Sequence, residues 1–262
     1  MSGSVRFDRA AEFYDASRAI APEAMARTIE LLVGELSGRG RTLEVGIGTG
    51  LLALPLREAG IELIGLDPSG PMLGKLVEKA GGSPPFPLAL GDATAMPFAD
   101  DAFDAAYLRW VLHLIPAWRA LVAEVVRTVR PGGVFVANLG SYGGAHEDIR
   151  RRFEELSGFD TTPVGLDWSA FDELDAELER HGASLRILPQ AYESFEEPLE
   201  EFMRGIEENR YSWTWPVPEG VRLRAVAEIR PWAEERLGSL SDVQRFSIAT
   251  TWRAYDLPER GA

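Results

Sequence analysis

The chain has 262 residues, no cysteine and a formal net charge of −14. Missing thiols exclude disulfides, thiolate metal sites and cysteine nucleophiles, and an acidic surface repels phosphate backbones, so no nucleic-acid partner is expected. The 45% hydrophobic content suits one sizeable folded domain, and there is no apolar run of about twenty residues to span a membrane.

The N-terminal stretch MSGSVRFDRAAEFYD lacks an apolar signal core and reads as cytoplasmic. Pro22 opens a helix whose apolar face includes Ala24, Thr28, Ile29, Leu32 and Leu36, with Gly38 and Gly40 ending it. An alternation follows. TLEVGI, ELIGLD, PFPLALGD, FDAAYLRW and GGVFVANLG are short apolar runs, and helix-like GLLALPLREAG, PMLGKLVEKAGG and LIPAWRALVAEVVRTVR lie between them. Strands apolar on both faces and separated by helices predict a parallel sheet, with ligands in the crevice beyond the C-terminal strand ends. The glycine-rich turn, Asp67, Asp92, the segment Leu108 to His113, and Asn138 all fall there. Beyond residue 140, WSAFDELDAELERHG reads as a helix closed by Gly182, and 184–195 and 244–257 read as late antiparallel strands. The expected fold is α/β. It is a Rossmann-like, seven-stranded, mostly parallel sheet flanked by helices, with a helical cap from 141–165 and 196–240 over the C-terminal strand edge. The whole chain, 1–262, is read as a single domain with its core in 1–140.

LEVGIGTG, residues 43–50, places Gly46, Gly48 and Gly50 at a strand-to-helix turn. Glycine permits positive φ and close approach of a ligand to the backbone. The next helix is expected to begin near Thr49. The dinucleotide fingerprint G-x-G-x-x-G is not met, because Leu51 holds its third glycine position. Asp67, at the end of the second run, can accept two hydrogen bonds from a ribose diol; otherwise it caps the helix opening at Pro68. Asp92, ending the third run, can accept from an adenine amino group or form an Asx turn. Glu44 sits inside a strand covered on both faces, where an unpaired carboxylate is costly and a cationic ligand would relieve it.

In this order LEVGIGTG, GLDPSGPML, GDATAMPFADDAFDAAYLRWVLHLI and VRPGGVFVANLG resemble the class I S-adenosylmethionine-dependent methyltransferase family, in character the bacterial ubiquinone/menaquinone-type branch. The resemblance covers about residues 7–140. It implies S-adenosyl-L-methionine as cofactor and S-adenosyl-L-homocysteine as product. It sets Glu44, Gly46, Gly48, Thr49 and Gly50 under the methionine and ribose parts. Asp67, with Pro68 and Met72 in the same stretch, goes to the ribose, and Asp92 and Ala93 to the adenine. Leu108, Arg109 and His113 line the methionine side, and Tyr14 closes over the cofactor.

Methyl transfer by in-line displacement needs alignment and exclusion of water more than any one side chain. His113, Tyr142 and His146 are the candidate bases or acceptor contacts, set against a satisfied histidine and a plain loop. Phe202, Tyr211, Trp213 and Trp215, with Tyr142, are candidate walls of an acceptor pocket, set against ordinary core packing. Metal-ligand spacing is absent, so a metal-independent reaction on a small-molecule O, N or C nucleophile is expected, by a monomer or a homodimer. The alternatives are an NAD-dependent oxidoreductase and a non-catalytic cofactor- or partner-binding protein.

Overall fold

The structure is a computed structural model describing residues 4–17, 21–139, 144–189 and 191–259. In chain order its elements are α1 (Tyr14–Ser17), α2 (Pro22–Leu36), β1 (Thr42–Val45), α3 (Ala53–Glu58), β2 (Leu63–Asp67), α4 (Gly70–Lys79), β3 (Leu88–Leu90), β4 (Phe103–Arg109), α5 (Trp118–Thr128), β5 (Val129–Leu139), α6 (Ala145–Ser157), α7 (Phe171–Arg180), β6 (Ser184–Ile187), β7 (Ala191–Pro198), α8 (Leu199–Glu207), α9 (Glu219–Leu237) and β8 (Val243–Asp256). Two compact units result. Met1–Gly140, Val164–Ala191 and Thr250–Ala262 form the first; Ser141–Pro163 and Tyr192–Ala249 form the second.

The first unit holds strands in the order β3-β2-β1-β4-β5-β8-β6. β1 to β5 are mutually parallel. β8 lies antiparallel to β5 and to β6. This is the seven-stranded, mostly parallel sheet that the alternation predicts, with its late antiparallel pair. Strand order reverses at β1, so a crevice opens beyond the C-terminal ends of β1 and β4. Side chains alternate between two cores. Leu43, Val45, Ala106, Leu108, Phe135 and Ala137 join one. Tyr107, Val134, Val136 and Trp252 join the other, beneath Leu32 and Leu36 of α2. α2 buries Ala24, Thr28, Leu32 and Leu36, a stripe with the four-residue spacing of one helix face.

Two local expectations are corrected. The helix after the glycine turn begins at Ala53, not near Thr49, since residues 46–52 are spent on the turn itself. The run 184–195 is not one strand. β6 stops at Ile187 and β7 starts at Ala191, with Pro189 between them unable to donate a ladder hydrogen bond. Pro131 to Gly133 lie within the bulged start of β5.

In the second unit α6, α8 and α9 pack Ile149, Phe153, Phe202, Met203, Ile206, Val226 and Ile229 into a core of their own. β7 pairs with β8. Among the described residues no helix is long and apolar enough to cross a membrane.

Candidate functional site

The glycine turn has the backbone its sequence implies. Gly46, Gly48 and Gly50 take φ of 73°, 56° and 75°. At Gly46 an added Cβ would sit 2.5 Å from Val111 Cγ2. The glycine is therefore needed for β4's continuation to pack against the turn, as well as for any ligand.

Asp67 organises this turn from the next strand. Its Oδ2 accepts from the Gly48 N–H and its Oδ1 from the Ser69 N–H, both at 2.8 Å. The side chain that caps α4 is Ser69, which accepts from the Met72 N–H, so the capping role open to Asp67 falls to its neighbour. Burial pushes the Asp67 carboxyl up to about 6, and Asp8 nearby adds to the rise, while the two backbone N–H groups oppose it. Pro68 is half-buried, and Met72 is buried with its Cε beside Gly48.

Glu44 has a partner that sequence reading missed. Tyr107, directly across on β4, donates its hydroxyl to Glu44 Oε2 at 2.6 Å. Even so, burial lifts the Glu44 carboxyl to about 8, against the opposing pull of Tyr107's hydrogen bond and of the Arg109 charge. Without a ligand, Glu44 is thus mainly protonated at neutral pH. The signal for the pair was the register: strand residues two apart share a face, so Tyr107 and Arg109 point to Glu44's side of the sheet.

The same alternation corrects Leu108. Its side chain is fully buried in the opposite core, so only its backbone is available to the crevice. Arg109 is half-buried, with its guanidinium carbon 3.9 Å from the Trp110 ring centroid.

Asp92 forms the Asx-type turn, accepting from the Thr94 N–H and hydroxyl at 2.9 and 2.8 Å. Ala93 is buried beside it. Arg127 steadies this loop through the carbonyls of Met96 and Phe98 and the carboxylates of Asp100 and Glu124.

The N-terminal segment is tied to the site by side chains. Thr49, a cofactor candidate, spends its hydroxyl on Asp15 at 2.5 Å. Lys79 meets the same Asp15 at 2.7 Å, and Lys75 meets Glu12 at 2.8 Å. These bonds hold α1, and with it Tyr14, beside the glycine turn; Tyr14 packs edge-on against Phe7.

The candidates for the chemistry separate. His113 belongs to the first unit, its ring 5.8 Å from that of Trp168 and its carbonyl accepting from the Gly165 N–H. Tyr142 lies outside the described residues. His146 is not on a loop: it sits in α6, buried, 4.1 Å from the Phe202 ring and with Nε2 3.2 Å from Glu197. Phe202, Tyr211 and Trp213 pack on one another and on Phe153 in the second unit's core, which accounts for their apolar bulk. Trp215 is half-buried and donates its indole N–H to the Asn209 carbonyl. Among the described residues no group of three or more His, Asp or Glu side chains is arranged to hold a metal.

Residues 43–137 match the methyltransferase domain family. Over 134 residues the chain is 34% identical to the demethylmenaquinone methyltransferase of Renibacterium salmoninarum, covering 50% of this chain and 55% of that protein. Over 128 residues it is 37% identical to the phosphatidylethanolamine N-methyltransferase of Cereibacter sphaeroides, covering 46% and 63%. The matched stretch thus spans little more than half of these relatives. The YcgJ protein of Bacillus subtilis shares the fold with a TM-score of 0.61 at 17% identity, over 92% of this chain and 100% of that one. Over residues 43–137 the chain thus resembles methyltransferase domains, and its fold is one that solved neighbours share. Demethylmenaquinone methyltransferases stand among its relatives.

Proposed function

We propose that this chain transfers the methyl group of S-adenosylmethionine to a small-molecule O, N or C nucleophile. The observation carrying the proposal is the triad of strand ends around the glycine turn. Asp67 grips the turn's amide, Glu44 is buried with a raised pKa, and Arg109 shares Glu44's face. A ligand with a ribose diol, an ammonium and a carboxylate matches those three charges. Asp67 retains lone pairs for the diol beyond its two backbone bonds. Glu44, once ionised, answers the ammonium, and Arg109 the carboxylate. The Asp92–Ala93 loop faces the adenine, and Tyr14 covers the ligand.

The sulfonium of the bound cofactor supplies an already activated methyl group. The chain's own work is then to hold both partners in line and keep water out. His113 is the base or acceptor contact nearest in sequence to Arg109. Acceptor choice is assigned to the insertions 141–165 and 196–240, because the family match stops at residue 137. The relatives' names suggest two acceptors to try, demethylmenaquinone and phosphatidylethanolamine. An NAD-dependent reaction is disfavoured by Leu51 and by the family match. We place the activity in the cytoplasm.

Calorimetric titration with S-adenosylmethionine and S-adenosylhomocysteine tests the reading. Micromolar binding, about −8 kcal/mol, lost in Asp67→Ala, is expected; absence of binding in the wild type sinks it. Binding without methyl transfer to any acceptor in a broad panel would favour the non-catalytic alternative.

A further inference from the structure

Trp110 is a bulky residue with φ of 56°, in the left-handed region that side chains other than those of Gly, Asn and Asp seldom enter. Such strain persists only where surroundings enforce it, and it clusters at ligand sites. Here the enforcement is visible on both sides. Upstream, β4 pairs with β1 as far as Tyr107 and with β5 as far as Arg109, which faces Asn138. Downstream, Val111 packs on Gly46, and the backbone of Leu112 and His113 accepts from Leu166 and Gly165. Gly165 has no room for a Cβ, which would lie 2.2 Å from the Leu112 carbonyl oxygen. The chain must therefore turn sharply at one residue, and that residue is a tryptophan where glycine or asparagine would turn at lower cost.

What the tryptophan adds is its ring. The Arg109 guanidinium lies over the indole at 3.9 Å, a cation–π geometry. Arg109 has a long, rotamer-rich side chain, and stacking on the indole narrows the states it can sample. We propose that Trp110 is a positioning residue, whose left-handed turn and ring hold the Arg109 charge on Glu44's face, set for the carboxylate of an amino-acid-bearing nucleoside. This rests on the S-adenosylmethionine reading and adds a residue to it.

The test compares two ligands. S-adenosylhomocysteine carries the amino-acid end; 5′-methylthioadenosine shares its adenosine and sulfur but lacks that end. Trp110→Asn keeps a residue at home in the left-handed region and deletes the ring, and Trp110→Phe keeps an aromatic face. In the full chain, Trp110→Asn is expected to weaken S-adenosylhomocysteine at least tenfold and methylthioadenosine less than twofold. Trp110→Phe should recover most of the loss. Equal weakening of both ligands would mark Trp110 as merely structural and overturn the proposal, as would no weakening of either. If the wild type binds neither nucleoside, the cofactor reading itself has failed and takes the proposal with it.

Discussion

Glu44→Gln should make the ligand-free protein more stable at neutral pH. The swap is nearly isosteric and leaves a carbonyl oxygen to accept from Tyr107, so packing and hydrogen bonding are kept. What it removes is an ionisable group whose carboxyl sits at about 8 in the fold against an ordinary 4.5. The folded protein holds this proton to a higher pH than the unfolded chain does. Stability therefore falls as pH rises from 4.5 to about 8. At pH 7 the accumulated loss is on the order of 3 kcal/mol, from roughly 2.5 pH units at about 1.4 kcal/mol each. Urea denaturation of both proteins at pH 5, 7 and 8.5 measures it. The two curves should nearly coincide at pH 5 and separate steadily above it, with the variant more stable by about 2–3 kcal/mol at pH 7. Parallel curves, or a variant less stable at pH 8.5, would refute a buried, proton-holding Glu44.

Binding of S-adenosylhomocysteine at pH 7 should release close to one proton, because an ammonium beside Glu44 favours its ionised form; calorimetry in two buffers of different ionisation enthalpy reads the number, and zero would deny that contact. Tyr107→Phe should destabilise the protein by about 1–3 kcal/mol, since Glu44 is left without its donor, as followed by thermal denaturation. Gly165→Ala should cost at least about 2 kcal/mol, because the new Cβ meets backbone that cannot move aside; a wild-type melting temperature would contradict that packing. Gly34→Ala, in the last turn of α2 with nothing within 4 Å of the added Cβ, should gain about 0.5 kcal/mol.

The sheet was legible because its signal is periodic. Apolar runs such as TLEV and FDAAYLR alternate with amphipathic helices, and both patterns survive in one sequence without knowledge of the fold. The glycine turn and Asp67 were legible for a different reason: each sits at a strand end, where backbone geometry dictates the residue. Glu44's partner was not. Tyr107 lies 63 residues away and becomes its neighbour only through strand register. Asp15 and Thr49 likewise meet through tertiary packing, so the short N-terminal helix gave no hint of its anchor. Phe202 and Trp213 could be pocket walls or core by composition alone; only the neighbouring rings of Phe153 and Tyr211 show the packing they take part in. The strain at Trp110 is invisible in sequence, since nothing local announces a left-handed tryptophan.

The antiparallel strand β8 gives the sheet an order of completion. β1 to β5 are made in one continuous stretch and can pair as they emerge. β6 is made earlier than β8, yet among the described residues it pairs only with β8. Until the last strand is synthesised, β5 keeps a bare edge of six residues, Val134 to Leu139, and β6 has no seat. An open edge of that length is a template for pairing with other chains. A ribosome stalled, or a chain clipped, before residue 250 would thus release a protein with its glycine turn intact and a sticky flank exposed.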